Sequence, residues 1–184
     1  MLTPLNSTSK VRKTEDMSRK TPTKVDEFMI RFAEEKDVGI IFGMIKELAA
    51  YEKLLDDFEA TEELLHESLF QRNVAETLIG EYDQEPVGYA IFFHNISTFT
   101  GRIGIYIEDL YVKPPMRGKG FGEAMLTFIA KLAVERKCAR LEWSCLDWNK
   151  PSIAFYKKMD AVALDDWTMY RVAGKSLKKL ACEF

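Results

Sequence analysis

The stretch that most limits what this chain can fold into is Tyr106–Gly122, YIEDLYVKPPMRGKGFG. Its first half reads as a strand: Tyr106, Ile107, Leu110, Tyr111 and Val112 are aromatic, β-branched or aliphatic, broken only by the acidic pair Glu108–Asp109. Pro114 and Pro115 cannot donate to a ladder and end it. Arg117, Gly118, Lys119, Gly120 and Gly122 follow, and then an amphipathic run predicted as a helix from about Gly120 to Arg136. A strand, a basic glycine-rich turn and a helix N-terminus together form an anion site, because glycine lets the backbone approach the ligand and the first-turn N–H groups point at it. The anion is not held in the Walker manner, since Gly118–Lys119 is followed by Gly120 instead of Ser or Thr. Nor is the spacing of a dinucleotide fingerprint present: the glycines run G-x-G-x-G.

The rest of the chain frames that turn. Phe28–Phe32 is a short strand; Asp37 stands where a helix N-cap belongs, and Val38, Ile41, Ile45 and Leu48 recur at helical spacing as far as Tyr51–Glu52. Thr61 with Glu62 and Glu63 opens a second helix with Leu64, Leu65 and Leu69 inward. Strands near Val74–Tyr82 and Val87–Ser97 are joined by an Asp-Gln-Glu-Pro turn. The central strand, Ile105–Val112, precedes the basic turn and the helix whose inner stripe is Met125, Phe128, Ile129 and Leu132. Leu141–Leu146 is read as a strand, Asn149–Lys150–Pro151 as the start of a short helix with proline in its first turn, Thr168–Val172 as a strand, and Gly174 onward as a basic amphipathic helix. This order predicts an α/β fold with a mixed, mostly antiparallel central sheet flanked by helices.

Composition narrows the classes. At 184 residues the chain is predicted to be a flexible basic tail over residues 1–24 and a domain over 25–184. The tail carries six Lys/Arg against two Asp/Glu (+4), and the remainder twenty against twenty-seven (−7). An acidic body suits a cationic small molecule and not nucleic acid. Three cysteines without metal spacing read as reduced thiols in a cytoplasmic protein; two scattered histidines offer no metal cluster, and no apolar run spans a membrane.

The R-G-x-G-x-G turn resembles the pyrophosphate loop of the GCN5-related N-acetyltransferase (GNAT) superfamily, whose acyl-CoA N-acyltransferase fold agrees with the element order. Within it, the segments IKELAAYEKL (45–54), YIEDLYVKPPMRGKGFG (106–122) and LDWNKPSIAFYKKM (146–159) are similar to the diamine acetyltransferases, which include spermidine/spermine N-acetyltransferases and thialysine N-epsilon-acetyltransferases. Leu146–Asp147–Trp148–Asn149 and Glu52–Lys53–Leu54 lean toward the thialysine type.

The resemblance implies acetyl-CoA as cosubstrate, no metal, a homodimer, and roles for particular residues. The backbone of Leu110, Tyr111 and Val112 meets the pantetheine arm; Arg117, Gly118, Lys119, Gly120, Phe121, Gly122 and Glu123 wrap the diphosphate; Asn149, Lys150, Pro151 and Ser152 flank its other side. Tyr156 is the general acid for the departing thiolate and Glu108 the carboxylate that relieves the amine of its proton. Tyr51, Glu52, Glu108, Glu142, Trp143, Ser144 and, loosely, Asp165 map to the acceptor side. By strand alternation Asp109 faces away from Glu108 and reads as structural. Two departures stand out: Asp160 replaces the glycine usual after the catalytic tyrosine segment, and Leu164–Trp167 is short, which turns the expectation from long polyamines to a small side-chain amine. The expected activity is therefore acetyl transfer to thialysine or a related amino acid. The alternatives are polyamine acetylation, protein lysine acetylation and a coenzyme-binding module without turnover.

Overall fold

A computed structural model describes residues 19–184. Its contacts divide the chain into two compact units, one ending at Ser144 and one running Cys145–Phe184. Residues 1–18 of the expected tail lie outside the described part, whereas its last residues are built into the sheet: Thr21–Pro22 is a short strand, β1, and Lys20 pairs with Glu81.

The first unit is a six-stranded sheet in the order β1-β2-β3-β4-β5-β6, with β2 Phe28–Phe32, β3 Glu76–Tyr82, β4 Glu85–Ser97, β5 Arg102–Val112 and β6 Leu141–Trp143. Every pairing is antiparallel except β5 with β6. The β3–β4 hairpin is tighter than the sequence implies. Its turn is Asp83–Gln84 alone, both at positive φ (50° and 65°), and Glu85–Pro86 already belong to β4.

One face of the sheet carries α1, Val38–Glu52, with a core of Ile41, Met44, Leu69, Ile79, Tyr89, Ile91 and Tyr111. On the other lies α3, Phe121–Glu135; Phe121 stacks on Phe28 with centroids 4.3 Å apart, and Met125 and Ile129 are fully buried. Helix α2, Glu62–His66, is capped by Thr61 as expected, then widens into a π-helical turn, Glu67–Gln71. Leu69 is buried and Leu65 half-buried, but Leu64, one position off their i, i+4 line, is exposed.

Asp37 occupies the N-cap position, but its carboxylate turns back and accepts from the N–H of Glu34 (2.7 Å) and from both Nη groups of Arg31 (2.6 and 2.9 Å). Arg31 Nε donates to Glu81 at 2.7 Å, so one buried guanidinium ties β2, β3 and the entry to α1. Burial pushes the Asp37 carboxyl up, but Arg31 and the Glu34 N–H outweigh it and hold it below the usual range.

In the second unit, α4 is Lys150–Lys158 and α5 is Gly174–Ala181. Asn149 caps α4 by accepting from the Ser152 N–H, and Pro151 sits in its first turn. The helix closes through Ala161 N–H to Tyr156 O and Asp160 N–H to Lys157 O, the paired bonds of a Schellman motif. Asp160 occupies its left-handed position at φ 57°, so the replacement of glycine leaves the turn's handedness intact. Two strand expectations fail here. Leu141–Leu146 is a strand only as far as Trp143, and no ladder includes Thr168–Val172, whose residues are all exposed.

Removing the buried cation should be costly. Arg31→Met leaves the Asp37 carboxylate without its cation and Glu81 with Lys20 alone, and chemical denaturation should show a loss of about 3–5 kcal/mol. A loss under ~1 kcal/mol would mean the network adds little.

Candidate active site

Everything at the site follows from one irregularity in β5. Its register with β4 pairs Ile91 with Asp109 but Phe92 with Ile107, so Glu108 is an inserted bulge residue. Before the bulge, Ile107 lies opposite Phe92; after it, Asp109 and Tyr111 lie opposite Ile91 and Tyr89, on the α1 side. The β5–β6 ladder, Ile105–Ile107, stops where the bulge begins. Glu108 to Val112 therefore carry no ladder partner along that edge among the described residues.

The bulge brings two carboxylates to the end of α1. Glu108 is exposed, while Asp109 accepts a hydrogen bond from Tyr89 Oη at 3.0 Å. Burial is the main cause that lifts the Asp109 carboxyl from 3.8 to about 6; Tyr89 opposes the shift, and the charges of Glu108 and Glu52 add to it. Glu52, the last residue of α1, is itself pushed up by burial. Burial and the Asp109 charge raise the Tyr89 phenol, and burial with the bond to Glu47 (2.8 Å) raises that of Tyr111. The end of α1 is fixed by its own Schellman closure, with Lys53 left-handed at φ 61° and Leu54 N–H bonded to Ala49 O.

The basic turn reaches the end of α1 through Arg117, whose guanidinium carbon lies 4.4 Å from the centroid of the Tyr51 ring. Gly118 and Gly120 have φ 77° and 86°, where a side chain would be strained, and a Cβ on Gly118 would meet nothing within 4 Å. Gly120 begins α3 with no side-chain cap, and the bond of Ala124 N–H to Gly120 O starts the helical ladder. The N–H groups of Phe121, Gly122 and Glu123 are thus left for a ligand. The ring of Phe121 is buried, so this N–H is what the residue can offer. Lys119 Nζ lies 5.2 Å from the Tyr82 ring centroid, and Arg117 bonds through Nε to Val112 O at 2.9 Å. Open main-chain donors, two left-handed glycines and two cations fit a diphosphate.

Other expected acceptor residues are engaged differently. Glu142 Oε2 accepts from Asn95 (2.8 Å) and from Arg140 Nε (2.8 Å). Ser144 Oγ hydrogen-bonds Tyr106 Oη at 2.7 Å, and Trp143 is half-buried on β6. In the second unit, Tyr156 is half-buried on α4 with its ring 5.2 Å from Phe155, Lys150 Nζ donates to Asp147 O, and Asp165 is exposed in a turn. Cys145 lies beyond β6 and is half-buried. Sequence reasoning missed Asp109, Tyr89 and Glu47. The polar atoms of Asp109 and Tyr89 sit on otherwise apolar core positions, which periodicity assigns to packing.

The defining pattern of the Acetyltransferase (GNAT) family matches residues 44–161, a span that includes the bulge, the turn and α4. The chain belongs to the GNAT acetyltransferase family. It is an N-acetyltransferase, and the family's cosubstrate is acetyl-CoA. Thialysine N-epsilon-acetyltransferase of Sus scrofa is 38% identical over 165 residues, covering 83% of this chain and 96% of that protein. A human protein, spermidine/spermine N(1)-acetyltransferase-like protein 1, is 33% identical over 172 residues, covering 88% of this chain but 25% of its own. Among solved structures, an integron cassette protein from the mobile metagenome of V. cholerae shares the fold, with a TM-score of 0.72, 24% identity, and coverage of 84% of this chain and 98% of that one. Among the described residues no helix is long and apolar enough to cross a membrane.

Because the Asp109 carboxyl is raised in the folded protein, its stabilising contribution is present below the unfolded value and is lost as pH rises through the folded one. Asp109→Asn keeps the shape and an acceptor for Tyr89 without the charge. Its melting temperature should gain on the wild type between about pH 4 and about pH 6, with the gap constant above that. A gap that does not change with pH would show that Asp109 titrates as an ordinary surface acid.

Proposed function

We propose that this acetyltransferase acts on the terminal primary amine of a small cationic amino acid, thialysine or a close analogue. The observation that carries this reading is that the charges of Glu52 and Glu108 both act on Asp109, while Arg117 of the basic turn lies on the ring of Tyr51, the neighbour of Glu52. The thialysine N-epsilon-acetyltransferase of Sus scrofa supports it. Bound acetyl-CoA supplies an activated acetyl thioester. The first-turn N–H groups of α3 and the Arg117 side chain hold its diphosphate, with Asn149, Lys150, Pro151 and Ser152 flanking the coenzyme. The edge of β5 from Leu110 to Val112, which carries no strand partner among the described residues and where Arg117 holds Val112 O, offers its main-chain groups to the amide-bearing arm.

Acetyl transfer needs the amine neutral, and Glu108, exposed on the bulge, takes its proton directly or through water. Asp109 and Glu52 add negative charge toward the cation, and the ring of Tyr51 adds an aromatic face. Glu142, Trp143, Ser144 and Asp165 complete the acceptor side in this reading. Tyr156 holds the proton that the thiolate receives. Transfer is direct, in a ternary complex. Polyamine acetylation is the second reading, favoured by the human spermidine/spermine-type relative.

We place the enzyme in the cytoplasm as a homodimer. Support for association comes from residues 162–184, whose exposed Trp167, Met169, Tyr170, Leu177 and Leu180 a second copy would cover. Light scattering after size exclusion should give twice the chain mass; the mass of one chain would remove the dimer.

The substrate test is a panel of thialysine, lysine, ornithine, putrescine, spermidine, spermine and one basic peptide, scored by released thiol. Thialysine and ornithine-sized amines should have the highest kcat/KM. Spermidine or spermine ahead of them would favour the second reading, and acetylation of the peptide alone would reject both. Tyr156→Phe should lower kcat by roughly 10–10³-fold with little change in acetyl-CoA affinity; unchanged turnover would remove Tyr156 from proton transfer.

A further inference from the structure

Arg117 lies where diphosphate binding alone does not require it. Its guanidinium carbon is 4.4 Å from the centroid of the Tyr51 ring and 5.6 Å from that of Tyr111, while Nε donates to Val112 O at 2.9 Å. Neither Nη group donates to a protein acceptor among the described residues. Tyr51 is the penultimate residue of α1, and its neighbour Glu52 is one of the carboxylates whose charge acts on Asp109. One side chain of the coenzyme turn thus rests on the helix end that bears the acidic cluster.

A guanidinium can do both tasks at once. Its faces stack on aromatic rings while its edge donates to an oxyanion, so a phosphate held in its plane does not compete with the tyrosines above it. The bond to Val112 O fixes the plane and spends one donor, leaving the Nη edge for the ligand. Lysine, a compact charge without a plane, cannot serve as this bridge.

We infer that Arg117 is a positioning residue that links the coenzyme turn to the amine end of the site, through its stack on Tyr51. This inference rests on the acetyltransferase reading above and adds to it a coupling between the two ligands. An oxyanion at the Nη edge holds the guanidinium still; the held guanidinium orders the Tyr51 ring; the ordered ring sets the neighbouring Glu52 side chain toward the amine. Coenzyme and amine therefore bind with mutually raised affinity, and the effect is reciprocal by linkage.

The test uses calorimetric titration of the full-length protein with coenzyme A, which carries no acetyl group to transfer, in the absence and presence of saturating thialysine. In the wild type, thialysine should tighten coenzyme A binding by a factor within roughly 5–150-fold. Tyr51→Leu should bring that factor close to one, while Tyr51→Phe, which keeps the ring, retains it. Arg117→Lys should lose the coupling as well, and the double variant Arg117→Lys/Tyr51→Leu should lose no more than either alone. A side chain that merely supported the fold would lower both affinities and leave their ratio intact. The inference is overturned if Tyr51→Leu keeps the wild-type factor, or if the wild type binds the two ligands independently. In the second case the acetyltransferase reading still stands. No uptake of coenzyme A by the folded wild type would instead reject the assignment of the turn, and this inference with it.

Discussion

One extra residue in one strand underlies the organisation of this molecule. Without the bulge at Glu108, β5 would keep a single alternation from Arg102 to Val112, and Asp109 and Tyr111 would continue the face of Ile105 and Ile107. With it, the strand packs Ile105 and Ile107 into one apolar layer and then presents Asp109 and Tyr111 to α1. The same insertion ends the ladder with β6 and leaves the edge from Glu108 onward open. A bulge costs local hydrogen bonding; here that cost creates the place where main chain and carboxylates can meet a ligand.

What the bulge begins, the following turn completes. Pro114 and Pro115 stop the strand in a short 3-10 turn, Gly118 and Gly120 take left-handed conformations, and α3 starts without a side chain over its first donors. The helix is anchored at that end by the burial of Phe121 against Phe28. Its open N–H groups are therefore held by packing on the far side of the same residues. Rigid support and free donors coexist because the ring of Phe121 faces the core while its N–H lies in the first turn.

The fold was legible wherever period and punctuation agreed. Val38, Ile41, Ile45 and Leu48 lead to α1, Thr61 to the cap of α2, and Asn149 with Pro151 to the start of α4. Legibility failed where non-local partners decide. Thr168–Val172 has the composition of a strand, but composition supplies no ladder, and Leu141–Leu146 is cut short by an event on the neighbouring strand. The turn at Gly118 and Gly120 was readable because glycine marks left-handed backbone locally. Asp109 was not, because its role depends on a one-residue slip that only cross-strand register reveals. The partners of Glu142 were likewise hidden from the sequence: its carboxylate accepts from Asn95 and Arg140, both distant or alternating positions that only the folded sheet brings to it.

In the proposed reading, the main-chain amides opening α3, with the edge of β5, receive the coenzyme. Amide-resolved NMR of the isotope-labelled protein during titration with coenzyme A tests it most directly. The largest shifts should fall on Gly118 to Glu123 and on Leu110 to Val112, with the remote β1–β2 ladder unchanged. Saturable binding that leaves the Phe121, Gly122 and Glu123 amides unmoved would contradict the account.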